Sequence, residues 1–167
     1  MKRRLVFSCD PGKMSGVTMF DITEMKSDDA KVEKVWSAEW PEDDFYVFLW
    51  NMFQNAMADK DVELEVVVEN FIITVQTAKL GAGPWSLKYI GAIEMLCKVY
   101  NVPFTLQQPQ QKDFAPNDRI RNLGMWHRGG DGHALDAIRH AIIYLVMKHK
   151  WRPEGLLDDK DETEEGK

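Results

Sequence analysis

Residues 5–12 read LVFSCDPG, an apolar run that stops at an acid and a Pro-Gly turn signal. Residues 16–21, GVTMFD, resume the apolar pattern after a short turn that contains Gly and Lys. Two such runs separated by a turn predict a β-hairpin. A third strand is predicted over residues 32–40, where apolar and charged residues interleave, and Pro41 ends it. We therefore expect the sheet to begin with three antiparallel strands.

The middle of the chain predicts one helix and one central strand. Residues 45–57 carry apolar side chains at the i, i+3, i+4 and i+7 spacing of an amphipathic helix, whose expected role is core packing. Residues 64–69, LEVVVE, contain three consecutive valines. Such a run suits a strand that is buried on both faces in the middle of a sheet.

The second half predicts two more helices and one short strand. Residues 84–101 are apolar around much of a helical circumference, with Pro84 in the first turn, so one face of this helix is available to another subunit. Residues 103–106 predict a fifth strand, residues 107–130 a polar loop region, and residues 132–150 a final helix. The predicted order is βββ, α, β, α, β, α, which indicates an α/β protein with a mixed five-stranded sheet flanked by helices.

Length and composition favour one domain. The chain has 167 residues, 44% of them hydrophobic, which is enough for one sizeable core. We predict one folded domain over residues 1–152 and a disordered tail over residues 153–167. No run approaches a membrane span, and the two cysteines lack metal-ligand spacing, so buried thiols in a reducing compartment are expected.

Charge is distributed unevenly along the chain. The net charge is -6, and residues 153–167 hold seven acids against two lysines, so this segment alone supplies -5. Residues 21–69 hold fourteen acids against four bases, whereas residues 107–152 hold eight bases against four acids and all four histidines. A phosphate backbone would need the cations of the second half.

Two carboxylates stand at predicted strand ends. Asp10 closes the first strand and Glu69 closes the valine-rich strand. If those strands are neighbours, both side chains emerge at one edge of the sheet, where they could hold a hard cation such as Mg²⁺. The alternative is that Asp10 belongs to an ordinary turn and Glu69 is a strand-end charge.

A third group lies in the first turn of the final helix. His133 and Asp136 are three residues apart and share a helix face, so together they could add two ligands to a metal. The alternative is structural: Asp131 would cap the helix, and Asp136 would pair with His140 at i+4.

These segments together resemble RuvC-type Holliday-junction resolvases, particularly the RuvC-like endonucleases of bacteriophages, over roughly residues 4–148. The resemblance rests on residues 5–12 and 66–69, on Gly91, and on HALDA at residues 133–137. It implies an RNase H-like fold in which Asp10, Glu69 and Asp136 match the catalytic carboxylates. It also implies that His133 takes the fourth position, with Asp131 as the fallback ligand.

The resemblance implies a function as well as a fold. It implies a structure-specific endodeoxyribonuclease that cuts four-way junctions, or related forks and flaps, by two-metal-ion hydrolysis. Two Mg²⁺ ions per site are expected, with Mn²⁺ as an alternative ion. A homodimer is expected because a four-way junction has two-fold symmetry. The expected location is the cytoplasm, that of the bacterial host if a phage encodes the chain.

Six residues are predicted to contact DNA. Lys112 lies in a Pro-x-x-Lys segment similar to one in the family, although a solvated lysine is the alternative. Phe71 resembles the family's junction wedge, but it follows Glu69 at two residues rather than three, where Ile72 stands. The other candidates are chosen for charge or for stacking on bases: Arg119, Arg121, Trp126 and Arg128.

Two other functions stay open at the level of sequence. One is a branched-DNA-binding protein that keeps the fold without catalysis. The other is an ATP-binding protein of the actin-like fold, in which the segment from Asp10 to Gly16 would form a phosphate loop. The second needs a duplicated domain to clamp ATP, and this chain is long enough for only one domain.

Overall fold

The computed structural model describes residues 2–25, 31–73 and 85–153. The five strands are β1 (Arg3–Asp10), β2 (Met14–Asp21), β3 (Glu33–Pro41), β4 (Val62–Glu69) and β5 (Phe104–Gln107). The helices are α1 (Glu42–Ala58), α2 (Trp85–Tyr100), α3 (Asn117–Asn122) and α4 (His133–His149), with a 3-10 helix over Pro109–Phe114. Each predicted strand and long helix is present, with bounds shifted by a few residues at most.

The strands form one mixed sheet in the order β3-β2-β1-β4-β5. β3, β2 and β1 are antiparallel neighbours, whereas β4 runs parallel to β1 and β5 runs parallel to β4. The prediction of a mixed five-stranded sheet that begins with three antiparallel strands is confirmed. β1 and β4 are central neighbours, so their carboxyl ends meet at one edge of the sheet.

Helices cover both faces of the sheet, because alternate residues of each central strand point to opposite sides. Phe7 of β1 and Val66 of β4 belong to a core shared with α1 and α2. Val6 of β1 and Val67 of β4 belong to a second core shared with α4. The valine run of β4 is therefore buried on both faces, as predicted.

The segment predicted as a polar loop, residues 107–130, contains regular structure. It holds the 3-10 helix and α3, and it buries Ala115, Ile120 and Met125 in the second core. These apolar residues are too widely spaced to show helical periodicity, so the loop prediction for this segment was wrong in part. The predicted role of Pro84 and most of the acidic tail, residues 154–167, lie outside the described residues.

Both cysteines, Cys9 and Cys97, are buried and free, as predicted. Among the described residues, no helix has the length and apolar character that a membrane span requires.

Candidate active site

Three carboxylates meet at the carboxyl-terminal edge of the central strands. Asp10 ends β1 and Glu69 ends β4, and the register pairs Cys9 with Val68, one residue before each acid. Asp136 joins them from the first turn of α4. One oxygen of each carboxylate lies within 4.8 Å of the others. The structure thus brings together three of the four residues that the sequence predicted as metal ligands.

Gly16 allows the start of α4 to lie close to the sheet. It lies in β2 directly opposite Asp10. A Cβ atom built on Gly16 would lie 1.9 Å from the carbonyl oxygen of His133, far inside contact distance. Only glycine fits there, so the absence of one methyl group lets the start of α4 rest on β2 beside the carboxylates.

The start of α4 is capped by a strand residue. The Glu39 carboxylate of β3 accepts hydrogen bonds from the backbone N–H groups of Asp131 (2.8 Å), Gly132 (3.0 Å) and Ala134 (3.1 Å). Burial raises the pKa of Glu39, but these three hydrogen bonds outweigh burial and lower it. The residue at the N-cap position is Gly132, and no side chain of α4 caps the helix. The alternative prediction that Asp131 caps α4 was therefore wrong, because the cap comes from a distant strand.

His133 lies beside the cluster and contacts one member. Its Nδ1 atom is 2.9 Å from Oδ2 of Asp10. The ligand-atom cluster that the described residues form contains Asp10, Glu69 and Asp136 but neither His133 nor Asp131. Burial, together with the charge of Glu69, raises the pKa of Asp10 despite the opposing hydrogen bond to His133. The same hydrogen bond to Asp10 raises the pKa of His133.

Asp136 is held by two cations. Nζ of Lys112 lies 2.7 Å from Oδ2, and Nη1 of Arg139 donates to Oδ1. Burial lowers the pKa of Lys112, but the hydrogen bond to Asp136 and the nearby charge of Glu69 outweigh it and raise the pKa. The alternative prediction that Asp136 pairs with His140 was wrong. Lys112 faces the carboxylates rather than open solvent.

Glu69 is held instead by a buried histidine. Nε2 of His140 is 2.9 Å from Oε2 of Glu69, and Nδ1 of His140 is 2.7 Å from the side-chain amide of Gln107. His140 is fully buried and Gln107 is 5% exposed. The three carboxylates therefore have different partners: a histidine beside Asp10, a buried histidine at Glu69, and two cations at Asp136.

The donor set of this cluster fits a divalent cation. Three carboxylate oxygens in close proximity are hard ligands of the kind that Mg²⁺ and Mn²⁺ take. Burial and the charges of Glu69 and Asp136 raise the pKa of Asp10, and a cation placed between the carboxylates would relieve this repulsion. Asp10, Glu69 and Asp136 are thus the residues that could hold a metal, with His133 next to them.

Four of the predicted DNA-contact residues lie in the segment that precedes α4: Arg119, Arg121, Trp126 and Arg128. The guanidinium of Arg121 lies 3.9 Å from the centre of the Trp126 ring, and Trp126 is half-buried against the second core. Arg119 donates to the carbonyl of Phe114 at 2.8 Å. Arg128 is exposed.

Phe71 is half-buried and packs against the first core, whereas Ile72 and Ile73 beside it are exposed. The segment just after Glu69 therefore presents isoleucines to solvent rather than the predicted Phe71 ring.

Comparison with known proteins gives a structural match but no sequence match. Neither a protein-family model nor a curated protein sequence matches the chain. Thermus thermophilus RuvC in complex with a Holliday junction substrate is similar to it with a TM-score of 0.58 and 18% identity, over 87% of this chain and 97% of that one. A second Thermus thermophilus RuvC structure gives a TM-score of 0.55 and 18% identity, over 86% and 96% of the two chains.

The chain has the RuvC-type resolvase fold. The match spans most of this chain, and the chain's sheet order of β3-β2-β1-β4-β5 is that of this fold. This agreement confirms the RNase H-like fold class that the motif order implied.

Four residues that hold the carboxylate cluster were not predicted in that role from the sequence: Glu39, Gln107, Arg139 and His140. The helical spacing could have placed Arg139 and His140 near the cluster, since they follow Asp136 at i+3 and i+4 on the same helix. Glu39 and Gln107 carried no local signal, because each acts on a segment that is distant in sequence and becomes a neighbour only in the folded sheet.

Proposed function

We propose that the chain is a divalent-metal-dependent endonuclease that cuts branched DNA, with four-way junctions as the primary substrate and forks or flaps as related ones. The observation that carries the proposal is the cluster of Asp10, Glu69 and Asp136, whose oxygens lie within 4.8 Å of one another in a RuvC-type fold. One of the structural neighbours is bound to a Holliday junction substrate. We place the activity in the cytoplasm, that of a bacterial host if a phage encodes the chain.

Four residues would hold the metal. Asp10, Glu69 and Asp136 supply carboxylates, and His133 completes the set from its position beside Asp10. When bound, a pair of Mg²⁺ ions supplies an activated water and stabilises the leaving oxygen of the phosphodiester. A neutral imidazole in place of a fourth carboxylate leaves the site one negative charge weaker, which favours Mn²⁺ as an alternative ion.

The chain's own cations would receive the phosphate. Lys112 holds an ammonium beside the carboxylates, where it would offset part of their negative charge towards the DNA backbone. Arg119, Arg121 and Arg128 extend positive charge along the segment that precedes α4. Trp126 is half-buried with the Arg121 guanidinium over its ring, so stacking on an unpaired base would require that guanidinium to move. Phe71 would have to leave its half-buried position to act as a wedge.

The proposed enzyme acts as a homodimer. A four-way junction has two-fold symmetry, so paired cuts need two identical sites related by the same symmetry. The outward side of α2 carries three exposed apolar side chains, which suit contact with a second copy: Leu87, Met95 and Val99.

The test is a cleavage assay on labelled four-way, three-way and linear duplexes in Mg²⁺. We expect paired symmetric nicks in the four-way junction and little cutting of the linear duplex. Asp10→Asn should bind the junction with wild-type affinity yet cut it at least about 100-fold more slowly, because a carboxylate of the metal cluster is lost.

Each alternative predicts a different outcome of this assay. Undiminished cutting by Asp10→Asn would contradict the site assignment. Junction binding by the wild type with no metal-dependent cutting would favour a non-catalytic DNA-binding protein. The ATP-binding alternative has less support, because Gly16 lies within β2 and is covered by the start of α4 rather than forming an open phosphate loop.

A further inference from the structure

His140 makes two polar contacts deep inside the molecule. It is fully buried on α4, four residues after Asp136. One ring nitrogen, Nε2, contacts Glu69 at 2.9 Å, and the other, Nδ1, contacts the amide of Gln107 at 2.7 Å. A buried imidazole with both nitrogens engaged is held in one orientation.

The surroundings of Gln107 decide which nitrogen of His140 carries the proton. With its amide nitrogen towards α4, Gln107 donates to Nδ1 of His140 at 2.7 Å and to the His140 carbonyl at 3.1 Å, and its oxygen accepts from the Tyr144 N–H at 3.3 Å. All three contacts are satisfied only in this orientation. Nδ1 is then an acceptor, so Nε2 carries the proton and donates it to Glu69.

This arrangement fixes the orientation of the Glu69 carboxylate. One N–H donor of His140 fixes one oxygen of Glu69, whereas Asp136 faces the ammonium of Lys112 and the guanidinium of Arg139. The negative charge of Glu69 is therefore less compensated within the protein than that of Asp136. An anionic, oriented carboxylate is what a divalent cation requires of its ligand.

Helix packing alone does not account for His140. One turn later on the same helix, the hydroxyl of Tyr144 donates to Glu65 of β4 at 2.6 Å, so α4 and β4 already have a polar connection. The neighbours of His140 on the helix, Ala137 and Ala141, are fully buried and apolar. An apolar side chain would satisfy that packing without the cost of desolvating an imidazole.

We propose that His140, oriented by Gln107, is a positioning residue that sets the Glu69 carboxylate for divalent-cation binding. The inference rests on the proposed function, since it assigns Glu69 to the metal. It adds a second layer, Gln107 to His140 to Glu69, that reaches from β5 through α4 to β4.

The test measures Mn²⁺ binding to the whole chain without DNA, by electron paramagnetic resonance of free Mn²⁺. His140→Leu should raise the Kd for Mn²⁺ by about 10- to 100-fold, the effect typical of losing a partner that orients a ligand. His140→Gln should stay near the wild-type Kd, because its amide nitrogen can still donate to Glu69. Tyr144→Phe is the matched control, since it removes a hydrogen bond between α4 and β4 away from the cluster, and it should bind Mn²⁺ as the wild type does.

Several results would overturn the inference. They are a wild-type Kd in folded His140→Leu, an equal loss in Tyr144→Phe, or a folded His140→Gln that binds as weakly as His140→Leu. If His140→Leu does not fold, Gln107→Leu replaces it: it frees the His140 ring to exchange its proton between nitrogens, and an unchanged Kd would count against the proposal.

Failure of this inference and failure of the proposed function give different results. Wild-type protein that cuts junctions while His140→Leu binds Mn²⁺ normally refutes only the positioning role. Wild-type protein that binds Mn²⁺ in a His140-dependent way but cuts no branched DNA refutes only the nuclease. A wild-type chain that binds no Mn²⁺ overturns the positioning role, and the cleavage assay then decides the function separately.

Discussion

At the scale of single residues, the site depends on a missing side chain as much as on its carboxylates. Gly16 faces Asp10 across the β1–β2 pair, and the backbone of His133 occupies the space that a Cβ would need. Any larger residue must push the start of α4 away from the sheet. Because α4 carries both His133 and Asp136, such a shift would separate Asp136 from Asp10 and Glu69.

We expect Gly16→Ala to destabilise the protein by about 1 to 3 kcal/mol or more, the usual cost of overpacking, and to weaken Mn²⁺ binding. Chemical denaturation and Mn²⁺ titration measure the two effects. Gly91→Ala is the matched control, because a Cβ at this exposed helical position meets nothing within 4 Å. It should stabilise α2 by about 0.5 to 1 kcal/mol. A Gly16→Ala protein as stable as the wild type would contradict the close approach.

At the scale of elements, α4 is attached to the sheet at both ends by carboxylates that lie on strands. Glu39 of β3 accepts hydrogen bonds from the backbone N–H groups at the start of α4. Near its end, Glu65 of β4 accepts from the Tyr144 hydroxyl at 2.6 Å and contacts Nε2 of His149 at 3.0 Å and Nζ of Lys148 at 3.2 Å. The position of α4, which carries Asp136 to the carboxylate cluster, therefore depends on two strand carboxylates that lie outside the cluster.

The Glu65 contacts predict a pH dependence of stability. Burial raises the pKa of Glu65, but the hydrogen bonds from His149 and Tyr144 outweigh it and lower the pKa to about 2. A carboxyl whose pKa is lower when folded stabilises the protein above its unfolded value of 4.5, and this contribution is lost as the pH falls towards about 2. Urea denaturation across this window should show a free energy of unfolding that decreases with falling pH.

Glu65→Gln should reduce that slope, because one proton-binding group is removed. Glu63→Gln is the control: Glu63 lies on the same strand, its side chain is 52% exposed, and its ion pair with Lys2 is on the surface. We expect Glu63→Gln to keep the wild-type slope. Equal slopes in the wild type and Glu65→Gln would show that Glu65 does not contribute to acid sensitivity.

At the scale of the whole molecule, α2 has two apolar sides, one that packs on the first core and one that faces solvent. The inward side of α2 is buried through Tyr89, Ile93 and Cys97, while Met95 and Val99 are 57% and 69% exposed. This outward side is the surface that the proposed homodimer would bury. The sequence indicated it as an apolar face, and the structure shows which residues remain outside after the core has formed.

Val99→Glu should convert a dimer into a monomer in sedimentation velocity, because a charge would be buried without a partner in the interface. The folded monomer should lose paired symmetric nicking of four-way junctions, since a single site cannot cut both strands at once. Val47→Glu is the control, as Val47 is 63% exposed on α1. It should leave the oligomeric state unchanged. A Val99→Glu protein that stays dimeric would contradict the assignment of α2.

Much of the fold could be predicted because local pattern and global fold agree. The apolar runs within residues 5–21, the valine run at residues 66–68 and the helical spacing of residues 45–57 each predict burial, and the structure shows that burial. The sequence predicted Asp10 and Glu69 as the ends of two strands, but only the sheet order shows that these strands, β1 and β4, are neighbours. The 3-10 helix and α3 could not be predicted, because their few buried apolar residues form no period.

The sequence by itself therefore determined the order of elements, the mixed sheet and the place of three carboxylates at predicted ends of strands and of a helix. Only the tertiary structure decided what each carboxylate touches: His133 at Asp10, the His140–Gln107 pair at Glu69, and Lys112 with Arg139 at Asp136. Most of these partners lie tens of residues apart in sequence. Their pairing depends on the register of β1 with β4 and on the depth at which α4 rests over Gly16, and neither quantity is encoded in local periodicity.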